Sequence, residues 1–186
     1  MSANHGAGSF WKPEDGETPL QSSRDTVKGP EFEISTELSV LYRRFAAKYG
    51  EPKVVWYPCC GYDITASCSF PRSRIIYVDR EQMTIDMLKE MGLEAYCQDV
   101  RVFCPPTDTD LLVLMNPQAE AAELTGKIGP GCFVACNDYH RTAEQINRDS
   151  DFEYIEDMRT GETHFVPVPQ EELCGRWTGE FLFRKK

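Results

Sequence analysis

The sequence predicts an α/β fold in which helices cover both faces of a mostly parallel sheet. Short apolar runs bounded by turn residues alternate with stretches that have helical spacing, and polar residues follow the runs. Apolar runs without polar alternation are typical of strands buried on both faces. Strands that alternate with helices form βαβ units, and such a sheet needs a helical layer on each side.

Five of the runs are predicted to form the parallel strands, at residues 54–57, 75–79, 95–99, 111–115 and 131–136. Later runs at 152–158 and 180–183 predict further strands. Helices are predicted over 35–49, 83–91, 118–124 and 141–147. The first can be capped by Ser35 or Thr36 and ends at Gly50. In the second, Met83, Met87, Leu88 and Met91 form one stripe that is expected to pack in the core.

The chain of 186 residues is acidic, with 20 Lys+Arg, 30 Asp+Glu and a formal net charge of −10. This charge argues against electrostatic binding of nucleic acid or of an anionic membrane surface. The longest uncharged runs, such as 128–137, are about half of the roughly 20 residues that a spanning helix needs. Because residues 1–16 contain no apolar segment typical of a secretory signal, we expect a cytoplasmic protein.

Residues 1–34 are expected to form a polar, flexible arm, and residues 35–186 the folded domain. The first 30 residues are rich in Gly, Ser, Pro, Asp and Glu, a composition that does not easily offset the entropy cost of ordering. Phe10 and Trp11 are the main apolar anchor of this arm. They fit a loose surface contact and a lid over a site equally well.

The eight cysteines are expected to be reduced and mostly buried. The chain lacks a visible signal and most of its cysteines lie in apolar runs, where a thiol acts as a small hydrophobe. A zinc site needs pairs of ligands at close spacing. Cys132 and Cys136 approach that spacing without a second pair, so no metal site is expected.

Polar or turn residues follow each of the five predicted parallel strands. In open α/β sheets, ligands bind outside the carboxyl ends of the strands. A single Asp at such a position is often only a helix cap, but the same pattern at five ends in order predicts a ligand site. In chain order these ends are Tyr57-Pro58-Cys59-Cys60-Gly61-Tyr62-Asp63, Asp79, Asp99, Asn116-Pro117 and Asn137-Asp138-Tyr139.

This order resembles that of the class I, Rossmann-like S-adenosylmethionine-dependent methyltransferases, over about residues 50–186. The resemblance implies that the turn after the first strand lies beneath the methionine part of the cofactor. It also implies that the second strand end binds the ribose and the third contacts the adenine. The cofactor-binding residues implied in this way are Tyr57, Pro58, Cys59, Gly61, Asp63, Asp79, Arg80, Asp99, Val100 and Asn116.

The fourth and fifth strand ends are implied to face the methyl acceptor. Asn116-Pro117 is similar to the start of the N-P-P-aromatic motif of amino methyltransferases, so Asn116 is the first candidate for orienting an acceptor. Tyr139 is the second. The family also inserts an antiparallel strand beside the fifth strand, and residues 180–183 match that position.

The first motif departs from the family pattern of an acid followed by three spaced glycines. Tyr57 replaces the acid, Cys59 the first glycine and Asp63 the last, so only Gly61 matches. A nicotinamide-dependent enzyme is disfavoured, because it needs a glycine-rich loop for its pyrophosphate and Asp63 would repel a diphosphate. S-adenosylmethionine carries a sulfonium and an ammonium, which an anionic turn suits.

Two main hypotheses therefore stay open, and another nucleotide-using α/β enzyme is a lesser alternative. The first is an S-adenosylmethionine-dependent methyltransferase that acts on a small molecule or a protein. The second is a non-catalytic Rossmann-like binding or interaction protein that has lost cofactor turnover.

Overall fold

Seven strands form one sheet in the computed structural model, which describes residues 31–168 and 179–186. The strand order is β3-β2-β1-β4-β5-β7-β6, in which β1 to β5 are parallel and β7 runs antiparallel to both β5 and β6. The predicted mostly parallel sheet with an antiparallel last strand beside the fifth is confirmed. The strands are β1 (Val54–Pro58), β2 (Arg74–Asp79), β3 (Glu94–Cys97), β4 (Leu111–Leu114), β5 (Phe133–Asn137), β6 (Phe152–Asp157) and β7 (Glu180–Lys185).

Helices cover both faces of this sheet, as the sequence predicts. Successive residues of a strand point to opposite faces, so Val55 packs in one core cluster and Trp56 in another. The first cluster contains residues of α1, α2 and α3, and the second contains residues of α4 and α5. The helices are α1 (Thr36–Tyr49), α2 (Thr65–Ser69), α3 (Gln82–Glu90), α4 (Ala121–Thr125) and α5 (Thr142–Arg148).

The helices differ from the prediction in three places. The short helix α2 was not predicted, because its sequence has no apolar periodicity. Helix α4 begins later than expected, at Ala121, where the Glu123 carboxylate accepts a hydrogen bond from the Glu120 backbone N–H at 3.2 Å. The predicted methionine stripe on α3 is wrong for Met83 and Met91, which are 52% and 51% exposed.

The predicted arm falls mostly on residues 1–30, which lie outside the described residues together with Phe10 and Trp11. Within the described part, Glu33 pairs with the turn after β1. Its N–H donates to the Tyr62 carbonyl at 2.9 Å, and its carbonyl accepts from Ile64 at 3.0 Å. The chain therefore contacts the carboxyl edge of the sheet before α1 begins.

The expectation that most cysteines are buried is wrong for the seven described residues of this type, all of which are free thiols. Cys174 lies outside the described residues. Helix α2, the edge strand β3 and the loop after it leave thiols accessible, whereas the central strand β5 buries Cys136. Cys60, Cys132 and Cys136 are buried, Cys59 is half-buried, and Cys68, Cys97 and Cys104 are exposed.

Residues 31–168 and 179–186 contain no cluster of three or more His, Cys, Asp or Glu side chains that could hold a metal ion. In the same residues, no helix has both the length and the apolar character that crossing a membrane requires.

Candidate functional site

A cavity of about 340 Å³ opens at the carboxyl ends of β1, β2 and β4. Here the strand order reverses, because β1 pairs with β2 on one side and with β4 on the other. Open α/β sheets bind ligands at this kind of position, and the volume lies in the usual range for small-molecule sites.

Most of the predicted cofactor-binding residues line this cavity, but two predicted site residues do not. Pro58 is absent from the lining, and Tyr139 lies in a neighbouring groove. The predicted residues in the lining are Tyr57, Cys59, Gly61, Asp63, Asp79, Arg80, Asp99, Val100 and Asn116. Cys60 and Tyr62 also line the cavity, within the turn that was predicted as a whole. The residues that sequence reasoning missed are Glu33, Glu81, Arg101, Met115, Gln118 and Ala119.

One side of the cavity is the β1–β2 corner, formed by Cys59, Gly61 and Asp79. Asp79 Oδ2 accepts a hydrogen bond from the Gly61 backbone N–H at 3.1 Å, and Oδ1 accepts from the Glu81 N–H at 3.1 Å. A carboxylate has about four acceptor sites. Asp79 therefore ties the end of β2 to the turn after β1 and keeps acceptor capacity for a ligand.

The turn at this corner has two residues with positive φ, Cys59 and Gly61, although only one of them is a glycine. Gly61 has φ +52° and a Cβ there would meet no atom within 4 Å, so glycine is needed for its conformation and not for space. Cys59 has φ +54° and donates its backbone N–H to the Val78 carbonyl at 2.8 Å. Because the left-handed region costs a residue with a side chain roughly 1–2 kcal/mol, Cys59 holds a strained position beside the cavity.

The two other departures from the glycine-rich motif, Tyr57 and Asp63, bind each other. The Tyr57 hydroxyl donates to Asp63 Oδ2 at 2.6 Å, and Asp63 Oδ1 accepts from the Thr65 backbone N–H at 2.8 Å. Both residues are buried. Burial, and then the charge of Asp63, raises the pKa of Tyr57, so the hydroxyl stays protonated and donates. Through these two hydrogen bonds, Asp63 connects the start of α2 to β1.

Asp99, the predicted adenine contact, is held by Arg101. The guanidinium donates from Nη2 to Oδ2 at 2.6 Å and from Nε to Oδ1 at 3.0 Å, and the Arg101 backbone N–H donates to Oδ1 at 2.9 Å. These bonds lower the pKa of Asp99 to about 2. Asp99 is therefore ionised at neutral pH, with much of its acceptor capacity used within the protein.

Lys127 binds the backbone of the loop that carries Asp99 and Val100 into the cavity lining. Its Nζ donates to the carbonyl oxygens of Val100 at 2.8 Å, Arg101 at 2.6 Å and Phe103 at 2.8 Å. An ammonium group has three donors, and here all three hold the loop that joins β3 to β4. The position of Val100 in the lining thus depends on a residue that follows α4.

The β4–β5 corner is formed by Asn116, Asn137 and Tyr139, of which Asn116 lines the cavity. Asn137 is 1% exposed and its Nδ2 donates to Asn116 Oδ1 at 2.7 Å. Asn137 Oδ1 accepts from the backbone N–H of Asn116 at 3.2 Å and of Tyr139 at 3.4 Å. Asn116 has φ +54°. One buried amide therefore joins the ends of β4 and β5.

Tyr139 lines a groove of about 730 Å³ next to the cavity and is 43% exposed. Arg101, Gln118 and Ala119 line both spaces. The groove and the cavity are thus neighbours along the loop after β4.

The lining of the cavity carries more carboxylates than cations. Arg80 and Arg101 are the cations, and Arg80 Nη2 donates to Gln118 Oε1 at 3.4 Å. A concave site lined mainly by one sign of charge attracts ligands of the opposite sign. The carboxylates are Glu33, Asp63, Asp79, Glu81 and Asp99.

No protein-family model matches the chain, and no curated protein matches it in sequence. Solved structures do match. The N-methyltransferase NodS from Bradyrhizobium japonicum WM9 has a TM-score of 0.52 at 12% identity, over 80% of this chain and 94% of that one. The plantazolicin methyltransferase BpumL, solved in complex with SAH, has a TM-score of 0.52 at 12% identity, over 80% of this chain and 82% of that one.

The 16S rRNA methylase RmtB has a TM-score of 0.54 at 20% identity, over 81% of this chain and 62% of that one. At such identities the similarity is one of fold. The chain has the Rossmann-like fold of the class I S-adenosylmethionine-dependent methyltransferases, as the resemblance in sequence implied.

Proposed function

We propose that this protein is an S-adenosylmethionine-dependent methyltransferase that acts on a small-molecule or protein acceptor. The observation that carries the proposal is the cavity at the strand-order reversal, where Asp79 is bonded to the left-handed turn at Gly61. Among solved structures with this fold, NodS is an N-methyltransferase and BpumL was solved with SAH.

The residues of the β1–β2 corner fit the cofactor. Asp79 has acceptor capacity for ribose hydroxyls, and the turn from Cys59 to Gly61 would lie against the methionine end. The excess of carboxylates suits a ligand that carries a sulfonium and an ammonium. Val100 would face the adenine. Asp99 already accepts three donors from Arg101, so it would contribute to adenine binding less than the resemblance implies.

When bound, the cofactor supplies an electrophilic methyl group on sulfur. The chain then has to hold an acceptor in line with that group, because positioning is the main contribution a protein makes to a direct transfer of this kind. Asn116 lines the same cavity and would orient the acceptor. Tyr139 would contact the part of the acceptor that extends into the groove beside it.

The proposed class of methyl acceptor is inferred from the net charge of the chain. With a formal net charge of −10, the chain is poorly suited to a nucleic-acid acceptor. The fold alone does not exclude one, since RmtB is a 16S rRNA methylase. We therefore keep a small molecule or a protein as the proposed acceptor, and the cytoplasm as the proposed location.

A non-catalytic binding protein is the second candidate function. It is favoured by the glycine-poor turn, in which Cys59 has a strained backbone conformation. In the same turn, the Asp63 carboxylate already accepts hydrogen bonds from Tyr57 and Thr65. This candidate predicts a folded domain that does not transfer a methyl group.

Calorimetry and thermal unfolding with S-adenosylmethionine and S-adenosylhomocysteine test the proposal. At about 100 times its dissociation constant, a ligand should stabilise the protein by roughly 2.7 kcal/mol. Absence of any stabilisation at millimolar cofactor would refute the methyltransferase proposal. Binding without transfer to any acceptor would favour the second candidate.

Asp79→Asn tests the placement of the site. It should weaken S-adenosylhomocysteine binding about 10-fold to 100-fold, because an amide replaces a carboxylate acceptor. Asp86→Asn is the matched control, since Asp86 is exposed on α3 and does not line the cavity. Equal affinity of Asp79→Asn and the unchanged protein would mean that the cofactor binds elsewhere.

A further inference from the structure

The side-chain amide of Asn137 can adopt one orientation only. One of its two terminal atoms accepts from the backbone N–H groups of Asn116, at 3.2 Å, and of Tyr139, at 3.4 Å. Only an amide oxygen can accept, because the amide nitrogen carries two donors. The NH₂ group of Asn137 must therefore point towards the side chain of Asn116.

This orientation also determines that of Asn116. Asn137 Nδ2 lies 2.7 Å from Asn116 Oδ1, and a donor at that distance requires an acceptor. Turning the Asn116 amide over would place two NH₂ groups against each other. Amide orientations are assigned from hydrogen-bond networks, and this network allows one assignment.

The NH₂ group of Asn116 is consequently turned away from Asn137. Within residues 31–168 and 179–186, no atom accepts a hydrogen bond from Asn116 Nδ2, and Nδ2 is not among the buried atoms that lack a partner. Asn116 lines the cavity. Its two free donors are thus accessible on the side of the proposed reaction.

We propose that Asn116 holds the methyl acceptor by donating hydrogen bonds, so that the acceptor atom is a carboxylate or phenolate oxygen and not an amine nitrogen. This inference rests on the proposed function and names its substrate class. An oxygen anion has several lone pairs, so it can accept from Asn116 with one and attack with another. An amine has a single lone pair, and its N–H groups need an acceptor, whereas Asn116 Oδ1 already accepts from Asn137 Nδ2.

Arg80 adds donors to the same cavity. Its guanidinium lies 3.4 Å from Gln118 Oε1, and both residues line the cavity with Asn116. Arginine donates in a planar fork that matches carboxylate geometry. The similarity of Asn116-Pro117 to the motif of amino methyltransferases implies an amine acceptor, whereas the hydrogen-bond network around Asn137 favours an oxygen anion.

The transfer balances without a general base. An oxygen lone pair forms the new O–CH₃ bond while the S–CH₃ bond of the sulfonium donor breaks and its electron pair stays on sulfur. A carboxylate becomes a neutral ester and a phenolate a neutral ether. Neither acceptor releases a proton.

Three aromatic probes of similar size test the inference: benzoate, 4-nitrophenolate and benzylamine. Each is titrated into the full chain saturated with S-adenosylhomocysteine, and the side-chain amide signals of Asn116 are followed by ¹H–¹⁵N NMR. We expect the two oxygen probes to shift these signals and benzylamine to leave them unchanged. The first two probes also distinguish a carboxylate from a phenolate acceptor.

Asn116→Asp keeps the oxygen that faces Asn137 and replaces the NH₂ group by a second oxygen. In the presence of saturating S-adenosylhomocysteine, it should weaken the binding of the oxygen probes about tenfold or more. Asn147→Asp, on the exposed side of α5, makes the same change in charge away from the cavity and is the control.

Asn137→Asp should reverse the preference. An aspartate can still accept from the two backbone N–H groups but cannot donate to Asn116, whose amide can then turn over and offer Oδ1 to the cavity. Benzylamine should then bind better than benzoate. Asn116→Asp decides the question by itself if this buried variant does not fold.

Tighter binding of benzylamine than of benzoate to the unchanged protein would overturn the inference. So would undiminished binding of the oxygen probes to Asn116→Asp, or the absence of any shift of the Asn116 signals with them. Failure of S-adenosylhomocysteine to bind would instead refute the proposed function, and the two failures are therefore distinguishable.

Discussion

The two corners of the cavity join their strand ends by different chemistry. At the β1–β2 corner the Asp79 carboxylate accepts backbone N–H groups, whereas at the β4–β5 corner the neutral Asn137 amide both donates and accepts. Each corner also holds a residue with a side chain at φ +54°, Cys59 in one and Asn116 in the other.

The difference determines what each corner can offer a ligand. A carboxylate keeps lone pairs after it has bound the backbone, so the β1–β2 corner presents acceptors and negative charge. In the amide pair both side-chain oxygens accept hydrogen bonds within the protein, so the β4–β5 corner presents the donors of Asn116. The two corners therefore offer a ligand different groups, acceptors beside β1 and β2 and the Asn116 donors beside β4.

Removing the amide of Asn137 should have the largest effect on stability. We expect Asn137→Ala to lower the free energy of unfolding by about 3 kcal/mol, because it deletes three hydrogen bonds and leaves the backbone N–H groups of Asn116 and Tyr139 without their acceptor. Urea unfolding measures this. Asn147→Ala on the surface of α5 should change the value by less than about 0.5 kcal/mol. A loss below about 1 kcal/mol would show that this corner does not depend on the amide.

Tyr57→Phe tests the hydrogen bond between Tyr57 and the Asp63 carboxylate, at the β1–β2 corner. The variant removes the donor of a buried carboxylate, Asp63, and should cost about 2 kcal/mol in urea unfolding. Tyr96→Phe is the matched control, since its hydroxyl donates to Glu94 at 2.9 Å on the exposed surface, where such bonds contribute little. Equal effects of the two variants would mean that burial of the Tyr57–Asp63 pair is unimportant.

Gly61→Ala tests whether conformation or space determines the turn. We expect a loss of about 1–2 kcal/mol in thermal unfolding, because alanine is strained at φ +52° although its Cβ would meet no neighbour. Gly129→Ala is the comparison, since a Cβ there would lie 3.8 Å from the Thr107 carbonyl, in ordinary contact. It should be neutral or slightly stabilising. A tolerated Gly61→Ala would contradict the left-handed turn.

Asp138→Asn should have the smallest effect on the free energy of unfolding, and it should raise this value where the other variants lower it. Asp138 brings a carboxylate next to the otherwise neutral β4–β5 corner, its Oδ2 is buried without a partner in the described part of the chain, and burial raises its pKa. We expect the variant to be more stable by about 1 kcal/mol at pH 7, because it removes a buried charge.

The pH dependence of this effect follows from the raised pKa. When the folded pKa of a carboxyl exceeds the unfolded value of about 3.9, stability is lost as pH rises from the unfolded towards the folded pKa. The difference between Asp138→Asn and the unchanged protein should therefore vanish below about pH 4. Unfolding followed from pH 3 to pH 8 checks this, and destabilisation by the variant at pH 7 would show that the corner depends on the charge.

The order of elements and the position of the cavity could be predicted from the sequence. Runs such as 111–115 are short, apolar without interruption and bounded by turn residues, which is typical of a strand buried on both faces. Asp79 could be placed at a strand end for the same reason. Helix α2 could not be predicted, because it depends on the bond between Asp63 and Thr65 and not on apolar spacing.

Exposure was predicted less well than secondary structure. Met83 and Met91 have helical spacing with Leu88, yet the buried face of α3 is formed by Thr84, Ile85 and Leu88. Spacing identifies a helix, but the neighbouring elements decide which side is covered. Arg101 and Glu33 were missed in the cavity lining for the same reason, since neither lies in an apolar pattern.

By itself, the sequence determined an acidic α/β chain whose strand ends carry polar residues in the order of a methyltransferase, because local apolar patterns and turn residues specify elements one at a time. Only the tertiary structure decided that Tyr57 and Asp63 satisfy each other, and that Asn116 presents donors. The direction of the Asn116 amide is set by a partner 21 residues away on the next strand. No local pattern contains that information, because it arises when the two strand ends meet.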